Sequence, residues 1–142
     1  MRVKHILSRK GSEVITTSPD ITLEDAARLL KHHHIGALVV ADDERRVQGI
    51  ISERDIINAI AEHGPSATAL PVREIMTREV CTCTPDDDID RLMQVMTNHR
   101  VRHLPIVENG HLAGLVSIGD VVKQRMDEIA FEAEQMKLYI VS

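Results

Sequence analysis

The fold is decided by the stretch Gly49-Ile50-Ile51-Ser52-Glu53-Arg54-Asp55, which returns later in the chain as Gly114-Leu115-Val116-Ser117-Ile118-Gly119-Asp120. Both stretches place a glycine, two apolar residues and a serine before an aspartate, and they are separated by 114 − 49 = 65 positions. Upstream, Pro19-Asp20 and Pro85-Asp86 are separated by 85 − 19 = 66 positions. Because glycine, proline and polar positions recur together with the apolar ones, the sequence indicates an internal repeat.

Each repeat is predicted to contain a strand, a helix, two strands and a second helix. Residues 37–40 are apolar throughout, as expected for a strand buried on both faces, and Asn109-Gly110 indicates a hairpin turn in the second repeat. Thr22 is a predicted helix N-cap. The predicted strands are 13–17, 37–40 and 47–51 in the first repeat and 80–84, 104–107 and 112–116 in the second, and the predicted helices begin near Leu23, Arg54, Ile89 and Asp120.

These elements predict an α/β (α+β) fold of two β-α-β-β-α repeats related by a pseudo-twofold axis. A unit of about 60 residues buries too little surface to be stable alone, so the two copies are expected to share a core. We predict repeat 1 at 1–64, a connector at 65–71, repeat 2 at 72–125 and a C-terminal helical extension at 126–142.

The composition restricts the class of protein. The chain has 142 residues, of which 43% are apolar and 27% charged, as in globular proteins. A net charge of 17 − 22 = −5 and only two aromatic residues, Phe131 and Tyr139, make nucleic-acid binding unfavourable. The sequence contains no apolar run of the roughly 18 residues that span a bilayer and no recognisable signal peptide, so we expect a cytoplasmic protein. Cys81 and Cys83 are too close in sequence for a structural disulfide, which agrees with a reducing compartment.

The two aspartate-containing stretches resemble the hallmark of the cystathionine-β-synthase-type (CBS) domain family. His99-Arg100-Val101-Arg102-His103-Leu104-Pro105-Ile106-Val107 resembles the family's basic turn into a buried strand, and the first repeat has the looser His33-His34-Ile35-Gly36-Ala37-Leu38-Val39-Val40. Val72-Arg73-Glu74-Ile75-Met76-Thr77 resembles the segment that opens many second CBS repeats. The chain is therefore identified as a member of this family, a stand-alone tandem CBS pair or Bateman module.

The resemblance carries implications for function. It implies up to two clefts between the repeats that bind an adenosine nucleotide, which is AMP, ADP, ATP or NAD(H), and in some members S-adenosylmethionine. It also implies a regulatory rather than a catalytic role, with a partner protein, still unidentified, that responds to the ligand.

By the same resemblance, the candidate ligand-binding residues fall into three groups. Ser52 with Asp55, and Ser117 with Asp120, are expected to hold the ribose. Main-chain groups are expected to frame the base, and basic side chains are expected to meet phosphate. The candidates for the base are near Thr16, Gly36, Ala37, Thr82, Arg102 and His103, the candidates for phosphate are Arg54, Arg100 and Arg102, and Ile118 next to Ser117 completes the set.

The chemistry of these residue types suits a phosphorylated ribose. An ionised aspartate can accept hydrogen bonds from both ribose hydroxyls, a helix N-terminus favours an anion, and arginine binds phosphate oxygens in pairs. Ser-x-x-Asp at a helix start is also a capping arrangement, so a structural role stays open for both pairs. The repeats differ at this point, with Glu53-Arg54 in one and Ile118-Gly119 in the other, and the sequence does not decide which cleft works.

Two further patterns are expected to carry no chemistry. Three consecutive histidines, His32 to His34, point about 100° apart on a helix and cannot all face one metal ion. Cys81 with Cys83 lacks the second ligand pair of a zinc site. No catalytic triad or phosphate-binding glycine loop has suitable spacing, so we expect no metal, no catalytic cofactor and no enzymatic activity.

The C-terminal segment predicts an assembly. Its apolar residues follow a heptad spacing, which is typical of a helix that packs against another helix. We expect a homodimer in which the terminal helices pack on each other or on the partner's core, and the alternative is a helix that folds back on its own pair. The alternative function is a structural or oligomerisation module with unoccupied clefts. The heptad seam consists of Val122, Met126, Ile129, Ala133, Met136 and Ile140.

Overall fold

The computed structural model describes residues 1–141 as two lobes that each combine a small sheet with helices. The first part of the chain forms α1 (Val3–Lys10), β1 (Thr16–Thr17), α2 (Leu23–His33), β2 (Ala37–Ala41), β3 (Val47–Ser52) and α3 (Glu53–His63). A 3-10 turn at Gly64–Ala69 and the short helix α4 (Val72–Ile75) lead into α5 (Ile89–His99), β4 (His103–Glu108), β5 (His111–Ser117) and the long helix α6 (Ile118–Val141). The predicted C-terminal extension is thus the continuation of α6, except Ser142, which lies outside the described residues.

The two sheets have related topologies. In the first sheet β2 lies between β1, to which it is parallel, and β3, to which it is antiparallel. In the second sheet β4 and β5 are antiparallel, and a single parallel bridge joins Cys83 to Ile106. The strand predicted at 80–84 is therefore reduced to one bridge. The chain turns immediately afterwards, since Thr84 N donates to the Asp87 carboxylate at 2.8 Å and Asp87 N donates to the Thr84 carbonyl.

Local signals form as the sequence predicts. Asn109 and Gly110 both have positive φ, 54° and 79°, which is the geometry of a tight hairpin turn whose twist matches the flanking strands. Thr22 caps α2, because its hydroxyl accepts a hydrogen bond from Asp25 N at 3.2 Å. The whole of 37–40 is buried, as expected for a strand covered on both faces.

The expected single shared core is instead two clusters, one in each lobe. Each cluster is completed by a helix from outside its own repeat. Val72 of α4 packs in the first cluster with α2, β2 and α3, whereas Val3 and Ile6 of α1 pack in the second cluster with α5, β4 and β5. We call these assemblies the first lobe and the second lobe. The exchange ties the halves of the chain together, so neither lobe is complete without a segment from the other half.

Helices α1 and α4 occupy equivalent places in their lobes. A Cβ at Gly49 would lie 2.7 Å from Met76 Sδ, and a Cβ at Gly114 would lie 2.5 Å from Leu7 Cδ2. At Gly49 the Thr77 carbonyl oxygen, a backbone atom, would also lie 2.9 Å from the added Cβ, so glycine is required there, whereas at Gly114 the Leu7 side chain would have to move. This close approach explains why the glycine belongs to the repeated motif.

Helix α6 extends beyond the second lobe. Val121 and Gln124 near its start are buried, whereas residues 129–141 are all exposed. The helix does not fold back on its own pair. Among residues 1–141 no helix combines the length and apolar character that crossing a membrane requires.

Candidate functional site

A cleft of about 260 Å³ lies between the lobes, where the β3–α3 junction of the first lobe faces the entry to β4 in the second. We call it the first cleft. It gathers seven of the residues predicted from sequence, namely Gly36, Ser52, Arg54, Asp55, Arg100, Arg102 and His103, and adds Ile50, Glu53, Thr77, Glu79, Val80, Cys81 and Val101. Both repeats therefore contribute to one site.

The Ser52–Asp55 pair forms a complete capping box at the start of α3. Asp55 N donates to Ser52 Oγ at 3.2 Å, and Asp55 Oδ2 accepts from Ser52 N at 2.9 Å and from Ser52 Oγ at 3.0 Å. The capping interpretation of the sequence is thus realised. All these bonds use Oδ2, and Oδ1 of Asp55 accepts no hydrogen bond from residues 1–141. Because the cap leaves one carboxylate oxygen unused at the cleft, Asp55 can cap α3 and accept a ligand's hydroxyl together.

The arginine side chains at the cleft differ from the other arginines of the chain in their hydrogen-bond and ion-pair partners. Of its twelve arginines, nine use their guanidinium groups on a carboxylate or carbonyl of the described chain. The three exceptions are Arg54, Arg100 and Arg102, which all line the first cleft and have no such partner among residues 1–141. Unpaired guanidinium groups are strong hydrogen-bond donors for an anion. The cleft therefore presents three cationic donors together with the carboxylates of Glu53, Asp55 and Glu79.

Backbone geometry places Arg100 at the cleft. Arg100 ends α5 in the left-handed conformation, with φ 54°, and its N–H donates to the Met96 carbonyl. His34 ends α2 in the same conformation, with φ 54°. The repeats thus share the local backbone but not the side chain, and only the second repeat presents an arginine from this position to the first cleft.

His103 lies at the base of the cleft as the first residue of β4. Burial lowers the pKa of its imidazole below the usual 6.5, and the positive charge of Lys10 lowers it further, whereas Asp120 and Glu53 act in the opposite direction. Arg102 adds a smaller lowering effect. The lowered pKa favours the neutral imidazole of His103 at pH 7, and a nearby anion would raise this pKa.

The rest of the cleft wall includes aliphatic side chains and the main chain that follows α4. The segment that follows α4 is extended, and Thr77 exchanges two main-chain hydrogen bonds with Ile50, at 3.0 and 2.9 Å. This bridge holds Val80 and Cys81 along one side of the cleft. No aromatic side chain lines the cleft, so a base held there would be packed between Ile50, Val80 and Val101.

Six of the predicted residues lie outside the first cleft. Thr16 is in β1, Ala37 is buried in β2, and Thr82 is exposed beside the Cys83 bridge. Ser117, Ile118 and Asp120 lie at the β5–α6 junction, which is the equivalent of the β3–α3 junction in the second lobe. There Ser117 N donates to Asp120 Oδ2 at 2.9 Å and Asp120 N donates to Ser117 Oγ at 3.2 Å, so the capping box repeats.

The second junction contains a residue that the sequence analysis missed. Lys10 Nζ lies 2.6 Å from Asp120 Oδ2 and 2.9 Å from the Leu115 carbonyl oxygen. Burial raises the pKa of Asp120, but the hydrogen bonds from Lys10 and from Ser117 N outweigh burial, and the net pKa is below its usual value. A sequence signal existed, because Val3-Lys4-His5-Ile6-Leu7-Ser8-Arg9-Lys10 matches Val72-Arg73-Glu74-Ile75-Met76-Thr77-Arg78-Glu79 at an offset of 72 − 3 = 69.

The other candidate chemistries find no geometric support in residues 1–141. No group of three or more His, Cys, Asp or Glu side chains there could hold a metal ion. Cys83 is buried, and burial raises the pKa of its thiol to about 12, which leaves little reactive thiolate at neutral pH.

The two lobes and the cleft between them define a paired-domain architecture, and comparisons with known proteins identify the family. The family model for the CBS domain matches residues 3–62 and again residues 72–127. The chain belongs to the CBS domain family, and the prediction of a tandem CBS pair is confirmed.

Three similar proteins illustrate the match. The structure of a CBS-domain containing protein from Agrobacterium tumefaciens is 46% identical, with a TM-score of 0.86, over 88% of this chain and 99% of that one. The mitochondrial CBS domain-containing protein CBSX3 of Arabidopsis thaliana is 38% identical over 94% of this chain, which spans 66% of that relative's length. The CBS domain pair of the protein MJ0100, solved in complex with 5-methylthioadenosine and S-adenosyl-L-methionine, is 28% identical, with a TM-score of 0.80, over 90% of this chain and 98% of that one.

Proposed function

We propose that this protein is a non-catalytic sensor that binds an adenosine nucleotide in the first cleft. The observation that carries the proposal is the convergence of Arg54, Arg100 and Arg102, the three arginines without a side-chain partner, on a cleft that also contains the free oxygen of Asp55. A carboxylate that accepts ribose hydroxyls beside donors that bind phosphate matches a phosphorylated nucleoside.

The ligand's parts can be assigned to the two sides of the cleft. The ribose lies at Asp55 and Ser52, the phosphate faces the arginines, and the base lies between the aliphatic residues along the Thr77–Ile50 bridge. The bound 5-methylthioadenosine and S-adenosyl-L-methionine in the related MJ0100 domain pair support an adenosine ligand. AMP, ADP, ATP and NAD(H) all satisfy these contacts, and the arginines favour the phosphorylated compounds over S-adenosylmethionine.

A ligand in this position would act on the relation between the lobes. Asp55 and Arg54 belong to the first lobe, whereas Arg100, Arg102 and His103 belong to the second. A nucleotide that contacts both sides favours the lobe arrangement in which those contacts form together, and it shifts the equilibrium only by its differential affinity. We propose that a partner protein responds to this arrangement, and that the output activity resides in that partner.

We also propose that the functional unit is a homodimer formed through α6. The predicted seam is exposed in one chain, with Met126 at 64%, Ile129 at 56% and Met136 at 63% exposure. Leaving such a row of large apolar side chains in water is unfavourable, so a covering surface is expected. A cytoplasmic location stays a prediction.

The direct test is a thermal-shift panel with AMP, ADP, ATP, NAD, NADH and S-adenosylmethionine. A ligand present at about 100 times its dissociation constant stabilises the folded state by about 2.7 kcal/mol, which corresponds to a rise of several degrees in Tm. We expect a selective rise that Asp55→Asn abolishes. A flat panel with millimolar ligand and folded protein would contradict the proposal.

The second candidate function is an interaction module whose clefts stay empty. It is favoured by one observation, the complete capping boxes at both Ser-x-x-Asp sites, in which every hydrogen bond joins two protein atoms. Under this alternative, the aspartates contribute only to helix stability. Loss of stability without loss of any nucleotide response in aspartate variants would favour it.

A further inference from the structure

The second lobe contains a cation at the place where its own ribose site would be. Lys10 Nζ is within hydrogen-bond distance of both Asp120 Oδ2, at 2.6 Å, and the Leu115 carbonyl, at 2.9 Å. Asp120 is the repeat equivalent of Asp55, and Leu115 is the repeat equivalent of Ile50, at the offset of 65. The ammonium group therefore bridges the strand edge and the carboxylate of the second capping box.

The first cleft is open at the equivalent place because α4 is shorter than α1. Helix α4 ends at Ile75, the chain becomes extended, and the main-chain N–H of Thr77 satisfies the Ile50 carbonyl. Helix α1 instead continues to Lys10, whose side chain satisfies the Leu115 carbonyl. When residues 3–10 are aligned with residues 72–79, Lys10 corresponds to Glu79, so the charge at this position is reversed between the two segments.

We propose that Lys10 occupies the ribose position of the second cleft and restricts the chain to one nucleotide, bound in the first cleft. The inference rests on the proposed function, because it uses the aspartate as the ribose acceptor. The Lys10 ammonium donates to Asp120 Oδ2, the oxygen that also caps α6, and not to Oδ1, the counterpart of the oxygen assigned to the ribose in the first cleft. It blocks the site by its position between that carboxylate and the Leu115 carbonyl, and its charge compensates that of Asp120. A nucleotide must therefore displace Lys10 before it can bind there.

The expected size of the effect follows from the population of the open form. If Lys10 leaves Asp120 in about one molecule in ten, the apparent affinity of the second cleft is weakened about tenfold, and a rarer open form weakens it more. Lys10 thereby gives the two repeat-related clefts different nucleotide affinities, although their capping boxes have the same geometry.

A purely structural role for Lys10 is the main rival explanation, and the chain offers a matched control. The adjacent Arg9 forms an ion pair with Asp127 at 2.6 Å, so α1 is attached to α6 by two neighbouring ion pairs. Arg9→Met removes one attachment without touching Asp120. Lys10→Met removes the other and also frees the carboxylate, so only Lys10→Met is expected to create a binding site.

The experiment counts AMP sites by isothermal titration calorimetry and equilibrium dialysis in the wild type, Lys10→Met, Arg9→Met, Asp120→Asn and the double variant Lys10→Met with Asp120→Asn. We expect one site in the wild type and in Arg9→Met, two sites in Lys10→Met, and one in the double variant. Lys10→Ala serves as a second variant if Lys10→Met folds poorly, with folding checked by circular dichroism.

The outcomes separate this inference from the proposed function. Two wild-type sites, one of them lost in Asp120→Asn, would overturn the role of Lys10 and leave the nucleotide sensor intact. An AMP site that depends on Asp120 in Lys10→Met, together with a wild type that binds no AMP, would support the role of Lys10 and contradict the first cleft. A folded Lys10→Met variant without an Asp120-dependent site would overturn the inference.

Discussion

Asp55 and Ser52 are joined by reciprocal hydrogen bonds, with Ser52 N 2.9 Å from Asp55 Oδ2 and Asp55 N 3.2 Å from Ser52 Oγ. One carboxylate oxygen is used by the protein, and the other is available at the cleft. The capping role of Asp55 and its proposed role in ligand binding therefore use different oxygen atoms and can be tested separately.

The first prediction uses Asp55→Asn to separate them. An asparagine keeps a carbonyl oxygen for Ser52 N, so the cap survives and stability changes by less than the about 0.5–2 kcal/mol typical of losing a cap. Its amide N–H₂ replaces the acceptor that faces the cleft, so nucleotide affinity should fall at least about tenfold, or about 1.4 kcal/mol. Urea unfolding and calorimetric titration measure the two effects.

The matched control for this change is Asp88→Asn. Asp88 caps α5 by accepting from Asp90 N at 2.8 Å, and it does not line the first cleft. This variant should lose no nucleotide affinity. An equal loss in both variants, or none in Asp55→Asn, would contradict the assignment of Asp55 to the ribose.

The second prediction concerns the two cysteines. Cys81 lines the first cleft, whereas Cys83 is buried and its pKa is raised to about 12 by burial, with a smaller contribution from Asp87. Iodoacetamide should therefore modify Cys81 in the native protein and leave Cys83 unmodified. A bound nucleotide should slow the modification of Cys81 several-fold, as measured by mass spectrometry at timed intervals.

Cys83 provides the internal control for that experiment. Its modification should appear only after unfolding in urea, when both thiols are equally accessible. If saturating nucleotide leaves the rate at Cys81 unchanged, the ligand does not occupy the cleft beside the Thr77–Cys81 segment.

The sequence predicted the β3–α3 junction well because the information there is local. A glycine, two strand residues and a capping serine fix the end of a strand and the start of a helix within seven positions, so Ser52 and Asp55 were placed correctly with respect to each other. The arginines of the first cleft were also named from sequence. Their lack of partners was not predictable, since it depends on where every acidic side chain of the fold lies.

Features that depend on distant pairing were less predictable. The strand expected at 80–84 is one bridge to Ile106, because its length is set by the partner strand and not by its own residues. The exchange of α1 and α4 between the cores was missed, because the match between 3–10 and 72–79 has an offset of 69 and falls outside the register of 65 or 66 that joins the other motifs. Lys10 was missed with it.

The third prediction concerns pH and His103. Its pKa is lowered in the folded state, mainly by burial and then by Lys10, against the opposing effects of Asp120 and Glu53. Below pH 6.5 the unfolded chain binds the proton more readily than the folded one, so the stability from neutral His103 is present above 6.5 and is lost as pH falls towards the folded pKa. The loss can reach about 1.4 kcal/mol per pH unit.

This pH dependence can be measured by urea unfolding between pH 7.5 and 5. Below pH 6.5 the free energy of unfolding of His103→Gln should fall less steeply with decreasing pH than that of the wild type. A phosphate bound near His103 would raise the pKa of its imidazole. AMP binding at pH 6 should therefore take up more protons in the wild type than in His103→Gln. Because AMP itself titrates in the same way in both experiments, the difference between the two proteins reports on His103 alone. Equal proton uptake in the two proteins would place the phosphate away from His103.

The last prediction tests the dimer through the seam of α6. Ile129 and Met126 are more than half exposed in a single chain, and burying such side chains against a second copy stabilises the association by about 1.5–3 kcal/mol each. Ile129→Glu places a charge in that apolar interface, where an unpaired charge is strongly unfavourable, so the dimer dissociation constant should rise at least about 100-fold. Analytical ultracentrifugation across a concentration series measures the change.

Glu134→Lys is the control, because position 134 is exposed and lies next to the seam residue Ala133 without belonging to the seam. It reverses a charge on the same helix and should leave the dissociation constant within a few-fold of the wild type. Since the first cleft lies within one chain, the monomeric Ile129→Glu protein should still bind nucleotide. A wild type that is monomeric at high concentration would contradict the α6 dimer. Loss of nucleotide binding in a folded monomer would show instead that the cleft depends on the partner copy.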